Sequence, residues 1–227
     1  AINSSTGVVT LSGSLNFEDD EEHDIVVMAT SADTSTSTAP YTIAVTDVDE
    51  FDVTAPTDDN TATNEIDENA VAGTVGITAS ASDADGTTNT ITYSLTNDDG
   101  GNFDIDSGTG VVSTTGSLNH ELGATRTIEV EATSADGSSK SETFSISVND
   151  VDEFDVTTPT DDNTATNEID ENASAGPVGI TASASDADGT TNTVTYSLTN
   201  DDGGNFDIDS GTGVVSTTGS LNHELGA

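Results

Sequence analysis

Two alternating runs and the turn between them occupy residues 127–148, which read TIEVEATSADGSSKSETFSISV. Apolar residues stand at every second position on both sides of the Asp-Gly pair at 136–137: at 128, 130 and 132 before it, and at 144, 146 and 148 after it. A period of two places these side chains on one face of a strand, and Asp-Gly is typical of a tight turn. The stretch therefore predicts two antiparallel strands, each with one buried face.

The same alternation recurs through residues 51–153. It marks further strands at 75–81, 91–95 and 103–105, and we expect edge segments near Phe51–Thr54 and Val111–Ser113. About seven short strands in about 100 residues are typical of an antiparallel β-sandwich. We therefore predict an all-β fold of tandem antiparallel Greek-key β-sandwiches, and no amphipathic helix is evident.

The chain repeats itself at a spacing of 103 residues. Residues 47–124 and 150–227 are identical except at four pairs of positions: Ala55 and Thr158, Val71 and Ser174, Thr74 and Pro177, and Ile91 and Val194. Residues 1–50 match 104–153 more loosely. The repeat predicts three parts: the C-terminal part of one repeat at 1–50, a complete repeat at 51–153, and the N-terminal part of another at 154–227. Because the chain opens at Ala1 without Met, we expect a longer protein.

Composition excludes several function classes. The chain carries 43 acidic against two basic residues, for a net charge of −41, and it has neither Cys nor Trp. A surface this negative repels phosphate backbones, so we expect no nucleic-acid partner. Without Cys there is no disulfide framework and no thiolate metal site. A Gly-x-Ser-x-Gly elbow with a plausible triad and a nucleotide loop are both missing, so an enzyme is not expected.

The acidic residues cluster where the predicted strands end. Examples are Asp83-Ala84-Asp85, the segment 65–69, and the two copies of Asp-Val-Asp-Glu at 47–50 and 150–153. Carboxylates at this density repel one another and destabilise a compact state. Calcium (Ca2+) takes six to eight oxygen ligands, mainly carboxylates and carbonyls, and would neutralise them. The pattern therefore predicts calcium binding.

These acidic segments resemble the motifs of tandem cadherin-like repeats, of the kind found in large bacterial surface adhesins. In that family calcium lies at each junction between repeats. The motifs that carry the resemblance follow the family's order: Glu68-Asn69, Asn119-His120-Glu121, Asp150-Val151-Asp152-Glu153-Phe154 and Asp186-Ala187-Asp188. Asn119 stands where the family has Asp, and Asp152-Glu153 replaces Asn-Asp.

The resemblance implies calcium ligands at two junctions. Around 47–50 they would be Glu18, Asp47, Asp49, Glu50, Asp83, Asp85 and Asp136. Around 150–153 they would be Glu68, Glu121, Asp150, Asp152, Glu153, Asp186 and Asp188. The last ligand position of the first set falls on either Asp136 or Ser134. Each set lacks one family position within these residues.

The function implied is a calcium-rigidified extracellular spacer in a repetitive cell-surface adhesin, with neighbouring repeats of the same chain as partners. One alternative is a module that binds carbohydrate or a like adhesin in homophilic cell adhesion. Another is an acidic, salt-adapted repeat without specific calcium sites. The partial repeats at the two ends are complementary, so we also expect either disorder there or head-to-tail self-association. His23, His120 and His223 are interpreted as surface or linker-proximal residues.

Overall fold

A computed structural model describes residues 1–222 and Glu224; the prediction for His223 lies outside the described residues. Over the described residues the chain forms fourteen β-strands and no α-helix, which confirms the all-β prediction. The chain divides into two compact units. The first comprises 1–66, 70–118 and 125–147, and the second comprises 67–69, 119–124 and 148–227. No helix among the described residues is long and apolar enough to cross a membrane.

The first two strands form an antiparallel hairpin in the first unit. Strand β1 (Glu22–Thr30) pairs with β2 (Thr36–Ala44) from Glu22 opposite Ala44 to Thr30 opposite Thr36. On the face where Ile25 and Val27 point, the side chains are only half-buried. This hairpin therefore presents an apolar face that its own unit covers incompletely.

The repeat at 51–153 contains eight strands in two four-stranded sheets. In chain order they are β3 (Thr57–Asp58), β4 (Glu65–Asp67), β5 (Thr74–Ser80), β6 (Ile91–Asn97), β7 (Phe103–Ile105), β8 (Val111–Thr114), β9 (Thr125–Ser134) and β10 (Ser139–Asn149). One sheet has the order β4-β10-β9-β6, and the other has the order β3-β5-β8-β7. Both sheets bury the alternate apolar positions that the sequence marked, including Val75, Ile77, Val112, Ile128, Val130 and Ile146. These residues form the core of the sandwich.

The predicted hairpin at 127–148 is present as β9 and β10. The two strands pair antiparallel, with Ile128 opposite Phe144. The turn closes where Gly137 N donates to Ser134 O at 3.0 Å and Ser134 N donates to Ser138 O at 3.0 Å. Gly137 has φ +97°, a left-handed conformation in which glycine carries no steric penalty.

The predicted edge strand at Phe51–Thr54 is wrong, and the first strand begins at Thr57 instead. The backbone N–H groups of this segment have other partners. Phe51 N donates to the Asp85 carboxylate, Val53 N donates to Ser138 Oγ at 2.9 Å, and Thr54 N donates to Ser82 O at 2.8 Å. Because side chains and a loop carbonyl take these donors, the segment forms no strand ladder.

The described residues of the second unit form one four-stranded sheet of their own. Strands β11 (Thr160–Asp161), β12 (Pro177–Ser183), β13 (Phe206–Ile208) and β14 (Val214–Thr217) follow the order β11-β12-β14-β13. This order reproduces the sheet β3-β5-β8-β7 at the 103-residue spacing. Residues 194–200 form no strand, although they repeat the sequence of β6 with one change. In the repeat at 51–153, β6 forms its ladder with β9.

Candidate cation-binding clusters

The described carboxylates of the predicted junctions form two clusters. The first cluster consists of residues 47–50 with Glu18, Asp83, Asp85 and Asp136, and lies in the first unit. The second cluster consists of residues 150–153 with Glu68, His120, Glu121, Asp186 and Asp188, and lies in the second unit. Each cluster is therefore built within one compact unit.

A buried aspartate holds the linker backbone in each cluster. Asp85 is 1% exposed, and its carboxylate accepts hydrogen bonds from Glu50 N at 3.2 Å and from Phe51 N. Asp188, also 1% exposed, accepts from Glu153 N at 3.2 Å and from Phe154 N at 3.3 Å. Hydrogen bonds from backbone N–H groups stabilise an ionised carboxylate. Asp85 and Asp188 are therefore equivalent: each binds the backbone of its acidic linker through the same pair of N–H groups.

The other aspartate of each Asp-x-Asp motif shapes the turn. Asp83 Oδ1 accepts from Asp85 N at 3.1 Å, and Asp186 Oδ1 accepts from Asp188 N at 3.3 Å. The nearby Ser134 side chain is the largest cause that lowers the pKa of the Asp83 carboxyl below its usual range. This short loop therefore keeps two carboxylates close together without a helix or strand.

Threonine hydroxyls orient the first aspartate of each linker. Thr87 Oγ1 donates to Asp47 Oδ2 in the first cluster. In the second, both Thr190 Oγ1 and Thr190 N donate to Asp150 Oδ2, the latter at 3.0 Å. The hydroxyl bond from Thr190 holds the pKa of Asp150 below its usual range. In both aspartates Oδ2 is satisfied, and Oδ1 is buried without a hydrogen-bond partner among the described residues.

Glu68 is almost as buried as Asp188 in the second cluster, with 2% of its surface exposed. Its Oε2 accepts from His120 N and its Oε1 accepts from Val151 N, both at 2.8 Å. The next residue, Asn69, has φ +57°, and its Nδ2 donates to Glu153 Oε1 at 3.1 Å. Asn tolerates this left-handed conformation better than most residues. The Glu-Asn pair therefore connects three separate segments of the chain.

Oxygen atoms of these residues converge on common points. In the first cluster, ligand atoms of Glu18, Asp47, Glu50 and Asp85 lie within 4.8 Å of one another, as do those of Asp49, Asp85 and Asp136. In the second, the same holds for Glu68, His120, Glu121 and Asp150, and for Asp150, Glu153 and Asp188. Asp85 belongs to both groups of the first cluster and Asp150 to both groups of the second. Each cluster therefore has the composition of two adjoining cation sites.

The crowding raises the pKa of several linker carboxyls. Burial, followed by the charge of Asp136, raises the pKa of Asp49, and burial followed by the charge of Glu18 raises that of Glu50. In the second cluster, a hydrogen bond with Asp188 and its charge raise the pKa of Asp152. Burial raises the pKa of Glu153. Without a cation, these groups are held in an environment that disfavours their ionised form.

The structure brings together the carboxylates implied by the sequence resemblance. Eleven of the fourteen contribute atoms to the converging groups. Asp83 and Asp186 accept a hydrogen bond from the backbone N of Asp85 and Asp188, and Asp152 lies beside Asp188. At the open position, Asp136 contributes an oxygen near Asp49 and Asp85, whereas Ser134 Oγ donates to Thr88 O at 2.9 Å. Asp136 therefore joins a converging group of carboxylates, and its assignment as the last ligand stays a prediction.

The donor set fits a hard divalent cation. Atoms buried without a hydrogen-bond partner among the described residues include carboxylate oxygens of Glu18, Asp47, Asp83, Asp150 and Asp188. An ionised oxygen removed from water without a partner is costly. Calcium accepts six to eight oxygen ligands with flexible geometry, which suits several carboxylates on separate loops.

Sequence reasoning did not include Thr87, Thr190 or His120 among the residues of the clusters, and it did not predict the backbone contacts of Asp85 and Asp188. Thr87 and Thr190 directly follow the two Asp-x-Asp-Gly segments, so a hydroxyl-bearing residue after that motif is the signal that could have indicated them. Asp85 and Asp188 accept hydrogen bonds from backbone N–H groups, and a pattern of residue types does not predict such bonds. His120 was interpreted as surface or linker-proximal; it is linker-proximal, with its Nδ1 3.4 Å from Asp150 Oδ1.

The cadherin domain profile matches residues 62–149 and 165–226, which is more than half of the chain. The chain therefore belongs to the cadherin domain family. Protocadherin Fat 4 of Homo sapiens and of Mus musculus is 36% identical to it over 113 residues, or 48% of this chain. The chain spans 2% of the length of these relatives. Both are mammalian, so the bacterial source expected from the resemblance stays a prediction.

Solved cadherin structures share the fold. Human CDH23 EC21-23 matches with a TM-score of 0.76 over 98% of this chain and 72% of its own, at 24% identity. The protocadherin GammaB4 extracellular domain matches with a TM-score of 0.75 over 99% of this chain and 37% of its own, at 21% identity. At these identities the likeness establishes the arrangement of strands alone.

Proposed function

We propose that the chain is a calcium-binding, calcium-rigidified extracellular spacer of a repetitive cell-surface adhesin, of the bacterial kind its motifs resemble. The observation that carries the proposal is the pair of clusters in which buried aspartates, Asp85 and Asp188, hold acidic linkers by their backbone. Its role is structural and not catalytic. Adhesion would come from other parts of a longer protein.

Calcium would be held by oxygens from segments far apart in sequence. In the second cluster Glu68, Glu121, Asp150 and Asp188 would supply ligands, with Asp152, Glu153 and Asp186 beside them. In the first cluster the ligands would come from Glu18, Asp47, Glu50 and Asp85, with Asp49, Asp83 and Asp136 completing the set. The ion would replace carboxylate repulsion by attraction and so restrict the linker.

Calcium titration calorimetry on paired linker variants tests this assignment. The variant Asp150→Ala with Asp152→Ala should lose the ions of the second cluster, because it removes a doubly used ligand and its neighbour. The matched variant Asp47→Ala with Asp49→Ala should lose those of the first cluster. Each should keep the ions of the other cluster. Unchanged stoichiometry and affinity in both variants would contradict the assignment.

Salt adaptation without specific sites is the competing explanation of the acidic residues. It would distribute carboxylates over exposed strand faces, whereas Asp85, Asp188 and Glu68 are almost fully buried. With specific sites, calcium should stabilise the chain at micromolar to millimolar concentration, at constant ionic strength, more than magnesium does. Magnesium requires near-ideal octahedral geometry and dehydrates reluctantly. Equal effects of the two ions would favour salt adaptation.

We also propose head-to-tail association between copies of this chain. The second unit has an apolar groove of 380 Å³, lined by residues that include Val178, Ile180, Tyr196, Leu198 and Phe206. At the 103-residue spacing these positions equal Val75, Ile77, Tyr93, Leu95 and Phe103, of which Val75, Ile77 and Phe103 are buried in the complete repeat.

The occupant of the groove would be the hairpin β1–β2 of a second copy. Its sequence is the counterpart of β9–β10, which supply the opposite half of the core in the complete repeat. The inward residues of the two hairpins differ in burial: Ile43 is 41% exposed, whereas its counterpart Ile146 is 0% exposed. Burying this face would remove apolar surface from water on both copies.

Sedimentation velocity over a range of protein concentrations tests the association. The wild-type chain should form concentration-dependent oligomers. Val27→Asp, on the inward face of β1, should remain a monomer, whereas Val26→Asp, one residue away on the outward face, should still associate. A wild-type chain that is monomeric at every concentration would overturn this proposal and leave the calcium proposal untouched.

A further inference from the structure

Among the positions that the two acidic clusters share at the 103-residue spacing, one that faces the carboxylates differs. His120 in the second cluster is the counterpart of Phe17 in the first. Both rings lie against the glycine of the Asp-x-Asp-Gly loop: a Cβ atom on Gly189 would come within 2.4 Å of His120 Nδ1, and one on Gly86 within 2.5 Å of Phe17 Cε1. An imidazole therefore stands where the other cluster has an apolar ring.

The imidazole nitrogen faces two carboxylates. Nδ1 of His120 lies 3.4 Å from Asp150 Oδ1 and 3.7 Å from Glu121 Oε1. The side chain of Asp150 is 9% exposed. Among the described residues, neither His120 Nδ1 nor Asp150 Oδ1 has a hydrogen-bond partner, and both atoms are buried. The nitrogen and the oxygen thus converge without a hydrogen bond to satisfy either.

Surrounding contacts fix the positions of these donors. Thr190 occupies the other oxygen of Asp150, and Gly189 N donates to Glu121 Oε1 at 3.1 Å. The backbone N of His120 donates to Glu68 Oε2 at 2.8 Å, which anchors the residue that carries the imidazole. Ligand atoms of Glu68, His120, Glu121 and Asp150 all lie within 4.8 Å of one another.

We propose that His120 Nδ1, Glu121 Oε1 and Asp150 Oδ1 form a site for a borderline transition-metal ion such as Zn²⁺ or Co²⁺. Imidazole nitrogen and carboxylate oxygen are both ligand types that such ions accept, whereas calcium takes oxygen ligands only. The first cluster, with Phe17, offers only oxygens. The inference rests on the proposed function, since it takes the second cluster to be a cation site.

Cobalt titration of the chelator-treated full chain, followed by visible absorption, tests the inference. Wild type should bind one Co²⁺ with a spectrum that reports nitrogen ligation, and Zn²⁺ should displace it, in line with its higher affinity for such ligands. His120→Phe, which copies the first cluster, should weaken this binding at least about tenfold, because even loss of an outer-shell partner has an effect of that size. His23→Phe should leave the spectrum unchanged.

The reciprocal variant guards against a folding defect. Phe17→His should add a second Co²⁺ site with the same spectrum, which no loss of structure can produce. Calorimetric titration with calcium separates the two proposals: His120→Phe should still bind calcium, as the Phe17 cluster is proposed to do. If wild type binds calcium but its Co²⁺ binding is the same in His120→Phe, only the transition-metal inference fails, and His120 serves as an ion-pair partner. If neither ion binds, both proposals fail.

Discussion

Glu68 accepts a hydrogen bond from the backbone N of Val151, which lies 83 residues later in the chain, at 2.8 Å. The same carboxylate accepts from His120 N through its other oxygen. A side chain at the start of a repeat thus holds both the mid-repeat loop and the linker that ends the repeat. Neutralising Glu68 should therefore affect the linker more than the sandwich core.

Glu68→Gln is expected to weaken calcium binding at the second cluster at least about tenfold, because ligand charge sets affinity in such sites. At saturating calcium this change in affinity lowers the free energy of unfolding by about 1.4 kcal/mol. Glu65→Gln makes the same change of charge three residues earlier, at an exposed position, and serves as the control. Calorimetry and thermal unfolding measure both effects. Equal calcium affinities in the two variants would exclude Glu68 as a ligand.

Gly110 is expected to tolerate no side chain. It has φ +71°, and a Cβ atom there would lie 2.2 Å from Ala79 O, a backbone atom of β5. Left-handed strain alone costs about 1–3 kcal/mol, and the clash adds a shift of the strand. Gly110→Ala should therefore lower the free energy of unfolding in urea by more than about 2 kcal/mol. Gly116→Ala, with nothing within 4 Å of its Cβ, should change it little.

The strands were predictable where one face is buried. Apolar residues alternate at 128–132 and at 144–148, and these runs lie in β9 and β10 with the predicted face inward. Phe51–Thr54 has a similar pattern but forms no strand, because Asp85, Ser138 and Ser82 take its backbone N–H groups. Such competition between loop partners and a ladder depends on tertiary contacts that a periodicity does not contain.

The acidic clusters were predictable in composition and less so in detail. The family resemblance of the acidic motifs selected carboxylates that the structure brings close together, and their role as calcium ligands stays a prediction. Whether Asp136 or Ser134 takes the last ligand position depends on the conformation of the β9–β10 turn. In that turn Ser138 N donates a hydrogen bond to Asp136 Oδ1 at 2.6 Å. The His120 ring fits beside Gly189 because glycine has no side chain there, and the order of motifs along the sequence does not predict this contact.

The ion-free chain should become more stable as the pH falls from neutral toward the ordinary carboxyl range, near about 4. Asp49 and Glu50 have raised pKa values in the folded state, so folding takes up protons between the ordinary and the raised pKa. Their destabilising effect is complete above the raised pKa and disappears as the pH falls to the ordinary value. Melting temperatures of chelator-treated protein measure this trend.

Groups with lowered pKa values should reverse the trend in stronger acid. Asp83 and Asp150 contribute stability above the ordinary carboxyl pKa and lose it as the pH falls through their lower folded values. Asp49→Asn with Glu50→Gln should flatten the rise at mildly acidic pH and leave the fall in stronger acid. A melting temperature that decreases steadily from neutral pH would contradict the crowding of these carboxyls.

Calcium should convert several complete repeats joined by flexible linkers into a stiff rod. Without the ion, two like charges about 4 Å apart repel by about 4 kcal/mol at an effective dielectric constant near 20, so each acidic linker is driven apart. With the ion, carboxylates from several segments share one cation, and the folded state is stabilised because the ion binds it preferentially.

Small-angle X-ray scattering on a protein of several complete repeats measures the stiffness directly. The maximum dimension should increase when millimolar calcium replaces chelator, and the melting temperature should rise in parallel. Replacing every counterpart of Asp85 and Asp188 by Asn should abolish both effects, because those aspartates hold the linker backbone. The same number of substitutions at exposed turn aspartates such as Asp59 should preserve both, since they remove equal charge away from the clusters. If scattering and melting are unchanged by calcium in the unmodified protein, its acidic residues serve solubility and not stiffness.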